Sequence, residues 1–366
     1  MPKAVNALIS ISGLILLLGG GTALLSCGKA PHASLAPTPS PAAVPAPTPS
    51  AGIHFRETKA LRPWRIAFIP KFKYYGKTGA LSSYWGLAWE GARKAGTDFG
   101  VEVSLIASKA PGETDADYVE PQIRLVADLI ARGGCDGLLI APFDSNRLAP
   151  VIEKAVAAGI PVVAMDTPVN SDRALTLVAF DNASGARAVG EWVVVKLGGR
   201  GRVLLLDGPP DQQNAIDRKS GFLAGLRTGD IDVLNAKSAD WEIEPARAIM
   251  AGWLKKYPRI DAVLAANDNM ALGAARAIAE AKRRGIVVTG FDASEEAKAA
   301  IREGRMAATV DQAPGDQARL AIQLLIERLE SGTLPPSRVL LSEISIVTRD
   351  SAGQSRPAIS APAVTP

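Results

Sequence analysis

One pattern in the chain occurs twice. The segment Gly159-Ile160-Pro161-Val162-Val163-Ala164-Met165-Asp166 has the spacing of Gly285-Ile286-Val287-Val288-Thr289-Gly290-Phe291-Asp292, a short strand-like run with an Asp seven residues after its opening Gly. The offset is 126 residues. One unit earlier, Asp136-Gly137-Leu138-Leu139-Ile140-Ala141-Pro142 corresponds to Asp261-Ala262-Val263-Leu264-Ala265-Ala266-Asn267 at an offset of 125. Two consecutive strand units recurring at nearly one offset predict two α/β lobes of similar plan rather than one large sheet.

Between Trp64 and Arg349 short apolar runs alternate with longer amphipathic segments, the pattern of a parallel sheet covered by helices. The predicted strands are 66–69, 101–106, 137–141, 162–165, 203–206, 231–234, 262–265 and 286–289. Predicted helices include 84–98, 121–132, 148–158, 182–197, 213–227, 245–256 and 268–283. In such sheets ligands collect beyond the carboxyl ends of the strands, where loops and helix N-termini converge. Asp166, Asn267 and Asp292 all fall at that edge. An Asp after a strand also serves as a helix cap or turn former; its recurrence at matched places in both halves favours a ligand role.

Composition removes other classes. The chain has 366 residues, 41 Lys+Arg against 37 Asp+Glu, two His and two Cys. A structural zinc site needs about four Cys or His ligands, and His32 and His54 both lie in an N-terminal stretch that cannot fold. The net charge of +4 is spread along the chain, with no run longer than Lys282-Arg283-Arg284, which argues against nucleic acid. Lys3 precedes an uncharged, mostly apolar stretch from Ala7 to Leu25 that ends in Leu24-Leu25-Ser26-Cys27. This is what the secretion machinery reads, and the ending resembles the lipobox of bacterial lipoproteins. Residues 1–26 are then a signal peptide and Cys27 the lipidated first residue of the mature chain; the alternative is an uncleaved anchor. Residues 27–62, with seven prolines from Pro31 to Pro49, read as a stalk of on the order of 100 Å. Residues 350–366 read as a disordered tail. Cys135, left without a disulfide partner, is expected to be a small buried residue at a helix-to-strand turn.

The residues from about Arg65 to Val347 resemble the sugar-binding branch of the bacterial periplasmic binding proteins, the ribose-binding-protein-like family. The pieces that carry the resemblance are Asp136–Pro142, Phe180-Asp181-Asn182, Asn267-Asp268-Asn269-Met270-Ala271-Leu272-Gly273-Ala274 and Gly290-Phe291-Asp292. The resemblance implies an α/β fold of two Rossmann-like lobes, each a parallel sheet flanked by helices, joined by three hinge crossings near 179–182, 312–313 and 341–342. The N-terminal lobe is then 64–179 plus 313–341, and the C-terminal lobe 180–312 plus 342–349. It also implies a set of sugar contacts: Tyr84 and Trp85 after Ser82 and Ser83 in the first loop, Asp166, Arg218, Trp241, Asn267, Asp292 and Gln312.

The types suit the chemistry. A carboxylate accepts two hydroxyl protons, a guanidinium donates along a fixed plane, and Asn or Gln does both, while Tyr84, Trp85 and Trp241 would cover the C–H faces of a sugar ring. Of Trp85 and Trp89, four apart on one helix, Trp89 is the expected core residue. Asp181 and Asn182 are expected to shape the hinge and cap the next helix. Two departures stand out. Ribose binders carry Arg directly after the residue matching Asp166, whereas here Thr167 and Pro168 follow, so a donor fork is missing. The loop from Lys71 to Ser83 is long, and Ile66-Ala67-Phe68-Ile69-Pro70-Lys71 is similar to receptors for a furanose quorum signal, in which that Lys touches ligand.

The resulting expectation is a membrane-tethered, monomeric receptor that captures a monosaccharide and presents it to an ABC permease, with no cofactor, metal or nucleic acid. The furanose-signal receptor, and a sensory module serving a chemoreceptor or kinase, remain as alternatives. A repressor built on the same core would need a helix-turn-helix module where the apolar segment and stalk stand. No Gly-x-Ser-x-Gly elbow, phosphate loop or dinucleotide glycine pattern points to an enzyme.

Overall fold

A computed structural model describes residues 58–71, 83–106 and 118–354. The apolar segment, Cys27, both His, most of the stalk, Ser82 and the Lys73–Lys77 part of the first loop lie outside the described residues.

In the first lobe the chain runs β1 (Arg65–Ile69), α1 (Ser83–Phe99), β2 (Glu102–Leu105), α2 (Val119–Arg132), β3 (Gly137–Ile140), α3 (Ala149–Ala157), β4 (Val162–Met165) and β5 (Thr176–Phe180). The second lobe follows with α4 (Asn182–Lys196), β6 (Arg200–Asp207), α5 (Gln213–Leu226), β7 (Asp230–Ser238), α6 (Ile243–Lys256), β8 (Ala262–Ala265), α7 (Asp268–Glu280), β9 (Val287–Thr289), α8 (Glu295–Arg302) and β10 (Ala308–Asp311). The chain then returns through α9 (Pro314–Ser331) and β11 (Val339–Ser342) to the first lobe and ends with β12 (Ser345–Thr348) in the second. The strand orders, β11-β5-β4-β3-β1-β2 and β12-β10-β9-β8-β6-β7, superpose when each of β1 to β5 is advanced by five. The internal repeat is therefore a repeat of topology. All pairings are parallel except β10 with β12.

The inner strands read as continuous apolar runs because helices cover both faces; Val162–Met165 and Ala262–Ala265 are buried at every position. The matched aspartates before β3 and β8 explain part of the repeat in purely structural terms. Asp136 accepts from the Arg65 amide and Asp261 from the Arg202 amide, tying the start of β3 to β1 and of β8 to β6. Cys135 is buried at the turn into β3, and burial pushes its thiol up to about 11. Helices α4 and α5 meet backbone to backbone. A Cβ on Gly221 would stand 2.2 Å from the Ala183 carbonyl oxygen, and one on Gly225 2.3 Å from that of Arg187.

Several expected boundaries move. Ser342 pairs with Phe180 at the end of the first sheet, so both belong to the first lobe by backbone, although the Phe180 ring packs into the second lobe's core beside Phe291. The stalk ends earlier than Arg62: the Ala60 amide donates to the Phe99 carbonyl and the Arg62 guanidinium stacks on Trp64. The C-terminal tail begins later than 350, because Ala352 is buried in the second lobe and its carbonyl accepts from Arg302 Nη1 at 2.8 Å. Trp85 sits in the core while Trp89 is only half-buried against it, the reverse of the expected ranking, since Tyr84 packs edge-on against Trp85 at 4.8 Å and covers it.

Candidate functional site

Strand carboxyl ends and the crossings deliver the site residues. Asp166 follows β4 and Asp292 follows β9 at matched places, each with a left-handed backbone, φ 65° and 115°. Such conformations cost on the order of 1–3 kcal/mol and persist where the surroundings enforce them. Here the Asp166 amide is held by the Val178 carbonyl and that of Asp292 by Val310.

On the first-lobe wall, Asp166 Oδ2 lies 2.8 Å from Lys71 Nζ and accepts from Thr167 Oγ1 at 2.8 Å, while Lys71 also donates to Thr167. Burial pushes the Asp166 carboxyl up, but Lys71, Thr167 and more distant Arg218 outweigh it and hold it below the usual carboxylate range. Tyr84, on α1, is buried; burial first, then Asp166 and Asp292, push its phenol well above its ordinary value, so it stays a hydroxyl donor.

The second-lobe wall is a connected network. Arg218, 3% exposed on α5, donates to Asn182 Oδ1 at 2.8 Å and to the Ala266 carbonyl at 2.6 Å, stands 3.6 Å from Asp292 Oδ1, and lies 4.0 Å above the Phe291 ring. Asp292 Oδ1 accepts from Gln312 Nε2. Burial pushes the Asp292 carboxyl up to about 8, against the pull of Arg218 and with the repulsion of Asp268 and Asp166. Trp241, itself left-handed at φ 67°, lies flush on Gly208 with its ring 5.5 Å from Arg218 and its indole N–H on Gln212. Asn267 caps α7 through Met270 N and gives one amide hydrogen to the Trp241 carbonyl, leaving the other uncommitted.

Tyr84, Asp166, Arg218, Asp292 and Gln312 thus gather between the lobes, and their mutual electrostatic influence spans both walls. Trp85, expected among the contacts, is instead packed in the first lobe's core against Tyr84. Two further residues join this network: Lys71, expected only under the furanose-receptor alternative, and Asn182, expected only as a hinge and cap residue. Lys71 supplies the cation that Thr167 does not, a need signalled by that departure. Asn182 anchors Arg218, while the capping of α4 falls to Asp181 alone, through Ser184 N. Among the described residues no cluster of His, Cys, Asp and Glu could hold a metal, and no helix is long and apolar enough to cross a membrane.

The periplasmic binding protein domain model matches residues 77–333. The chain belongs to that family. Its lobes have the type I periplasmic binding protein fold, and family membership places the folded body outside the cytoplasm. The chain is 34% identical over 251 residues to the D-ribose/D-allose-binding protein of Pseudomonas aeruginosa, covering 67% of this chain and 77% of the relative. It is 33% identical over 234 residues to the ribose import binding protein of Bacillus subtilis, covering 64% and 73%. Among solved structures, the periplasmic solute-binding protein of an ABC transporter from Actinobacillus succinogenes with bound D-allose is 26% identical with a TM-score of 0.71, over 80% of this chain and 99% of that one. Periplasmic binding proteins of this kind bind solutes; they are not enzymes.

Proposed function

We propose that this chain is the substrate-binding component of an ABC-type sugar transporter, taking a monosaccharide between its lobes and delivering it to the permease by hinge closure. The observation that carries the reading is the pair Asp166 and Asp292, matched in the repeat yet facing one site from opposite lobes, with Tyr84, Arg218 and Gln312 around them. A ligand that bridges both walls stabilises only the closed form. A sugar lacking one bridging hydroxyl leaves a buried partner unpaired, at about 1–3 kcal/mol. The ribose and allose binding of the relatives names the first candidates. Cys27 is the proposed lipid anchor of a monomer, with the proline-rich stalk as spacer. Loss of membrane association in Cys27→Ala is the expected result of cell fractionation.

Calorimetry on the mature protein with D-ribose, D-allose and a wider monosaccharide panel tests the reading. Binding at micromolar levels, lost in Asp292→Ala, is expected; no binding by any sugar, or full binding by the variant, sinks it. Lys71 on Asp166 favours one alternative, a receptor for a furanose signal, which requires that a furanose outcompete every pyranose in the same panel.

A further inference from the structure

The three places where the chain passes between lobes are linked through two buried side chains, Gln317 and Ser342. Gln317 lies in the first turn of α9, fully buried, on a helix packed into the first lobe's core. Its Nε2 donates to the Gln312 carbonyl at 2.7 Å and to Ser342 Oγ at 3.2 Å. Ser342 Oγ in turn donates to the same Gln312 carbonyl at 2.8 Å and lies 3.4 Å from the carbonyl of Ala179. Ala179 precedes the first crossing, Gln312 opens the second and Ser342 the third. A carbonyl only accepts, so the amide nitrogen of Gln317 must face Gln312, and its Oε1 is left buried with no hydrogen-bond partner among the described residues. Beside it Ala313 turns the chain in a left-handed conformation, φ 54°.

Gln312 is therefore held at both ends. Its backbone is fixed to first-lobe residues Gln317 and Ser342, while its side chain reaches Asp292 in the second lobe. We propose that Gln317 is a positioning residue for the sugar site: it pins the Gln312 carbonyl to the first lobe, aims the Gln312 amide at Asp292, and so sets the balance between open and closed lobes. A side chain that touches no ligand then controls affinity through the hinge. This rests on the sugar-binding reading, but its first test needs no ligand.

The experiment places spectroscopic labels on the full mature protein at exposed Asp128 and Val195, one on each lobe, and compares wild type with Gln317→Leu and Gln317→Glu. Gln317→Leu should broaden the ligand-free interlobe distance distribution and weaken D-ribose or D-allose binding about tenfold. Adding Ser342→Ala to it should change little more, since both act through one carbonyl. Gln317→Glu carries a finer signature. When protonated, its hydroxyl donates to the Gln312 carbonyl as the amide does; when ionised, it has only acceptors to offer. Its affinity relative to wild type should be near one in acid and fall as pH rises through its burial-raised pKa. Unchanged interlobe distances and affinity in Gln317→Leu, or a lower melting temperature with both unchanged, would overturn the proposal, as would a Gln317→Glu that tracks wild type at every pH. Should Gln317→Leu fail to fold, the Gln317→Glu profile decides. Should wild type bind no sugar, the transport reading falls while the ligand-free distances still judge the hinge.

Discussion

Asp166 and Asp292 are the same residue at the same place in two copies of one plan, and they differ in charge logic. Asp166 is buried against a lysine and a hydroxyl and titrates below the usual range. Asp292 is buried against an amide, with the guanidinium 3.6 Å away and another buried acid, Asp268, nearby, and it titrates up near 8. Their neighbours thus shift the two carboxyls in opposite directions: the first wall is held in its acceptor form, and the second is biased towards a carboxyl that can also donate. Duplication supplied the position, and the neighbours determined the chemistry. A polyol, whose hydroxyls each donate and accept, is suited to a cleft with one wall of each kind.

The comparison can be broken most severely on the second wall. Arg218→Ala strands the Asn182 and Ala266 acceptors and the Asp292 carboxyl, so sugar affinity should fall by about 3 kcal/mol, roughly two orders of magnitude, by calorimetry; Arg218→Lys should recover little, because an ammonium cannot reach two acceptors in a fixed plane. A second probe uses pH. Asp292 binds its proton more tightly folded than unfolded, so between about pH 4 and 8 the folded state holds a proton that the unfolded state has released, and stability falls as pH rises, by at most about 1.4 kcal/mol per pH unit for such a group. Asp292→Asn should remove part of that slope in thermal melts without ligand, raising stability at pH 8 relative to pH 5. Asp166 has the opposite sign. Its contribution is present above the ordinary carboxylate pKa and is lost as pH falls below it, so Asp166→Asn should lower the melting temperature at neutral pH, and the difference from wild type should shrink in acid.

The first wall should yield smaller effects. Lys71→Met leaves a buried carboxylate with Thr167 as its remaining close partner and should weaken binding by about 1–2 kcal/mol; an unchanged affinity would mean that Asp166 does not hold ligand in its ionised form. Smallest is Trp241→Leu, about 1 kcal/mol, because the ring contributes a face rather than a hydrogen bond.

Much of this was legible in the residues, for identifiable reasons. Strands β4 and β8 match their expected bounds because continuous apolar runs between a turn and a polar edge permit little else. Strands β5, β10, β11 and β12 were not among the predicted elements: they carry the chain into and out of the crossings, are four or five residues long, and have their apolar runs cut short by Thr, Ser or Asp. The placement of Arg218 inside the protein follows from no local pattern; it sits in a helix with Asp217 beside it, and burial is decided by Asn182, 36 residues earlier. Lys71 and Asp166 are 95 residues apart and follow strands separated by β3, about 10 Å at the usual strand spacing. Only a long side chain closes that gap, which spacing along the sequence does not reveal.

The seam between α4 and α5 extends the list of residues on which recognition depends. Asn182 opens one of these helices and Arg218 lies on the other, so their 2.8 Å bond is only as accurate as the distance between two helix backbones. At Gly221 and Gly225 that distance leaves no room for even one methyl group. An alanine at either place would act as a wedge between the helices, tilting the guanidinium off its target from further along the same face of α5. Such a variant would present as a specificity defect whose cause lies where no sugar ever comes.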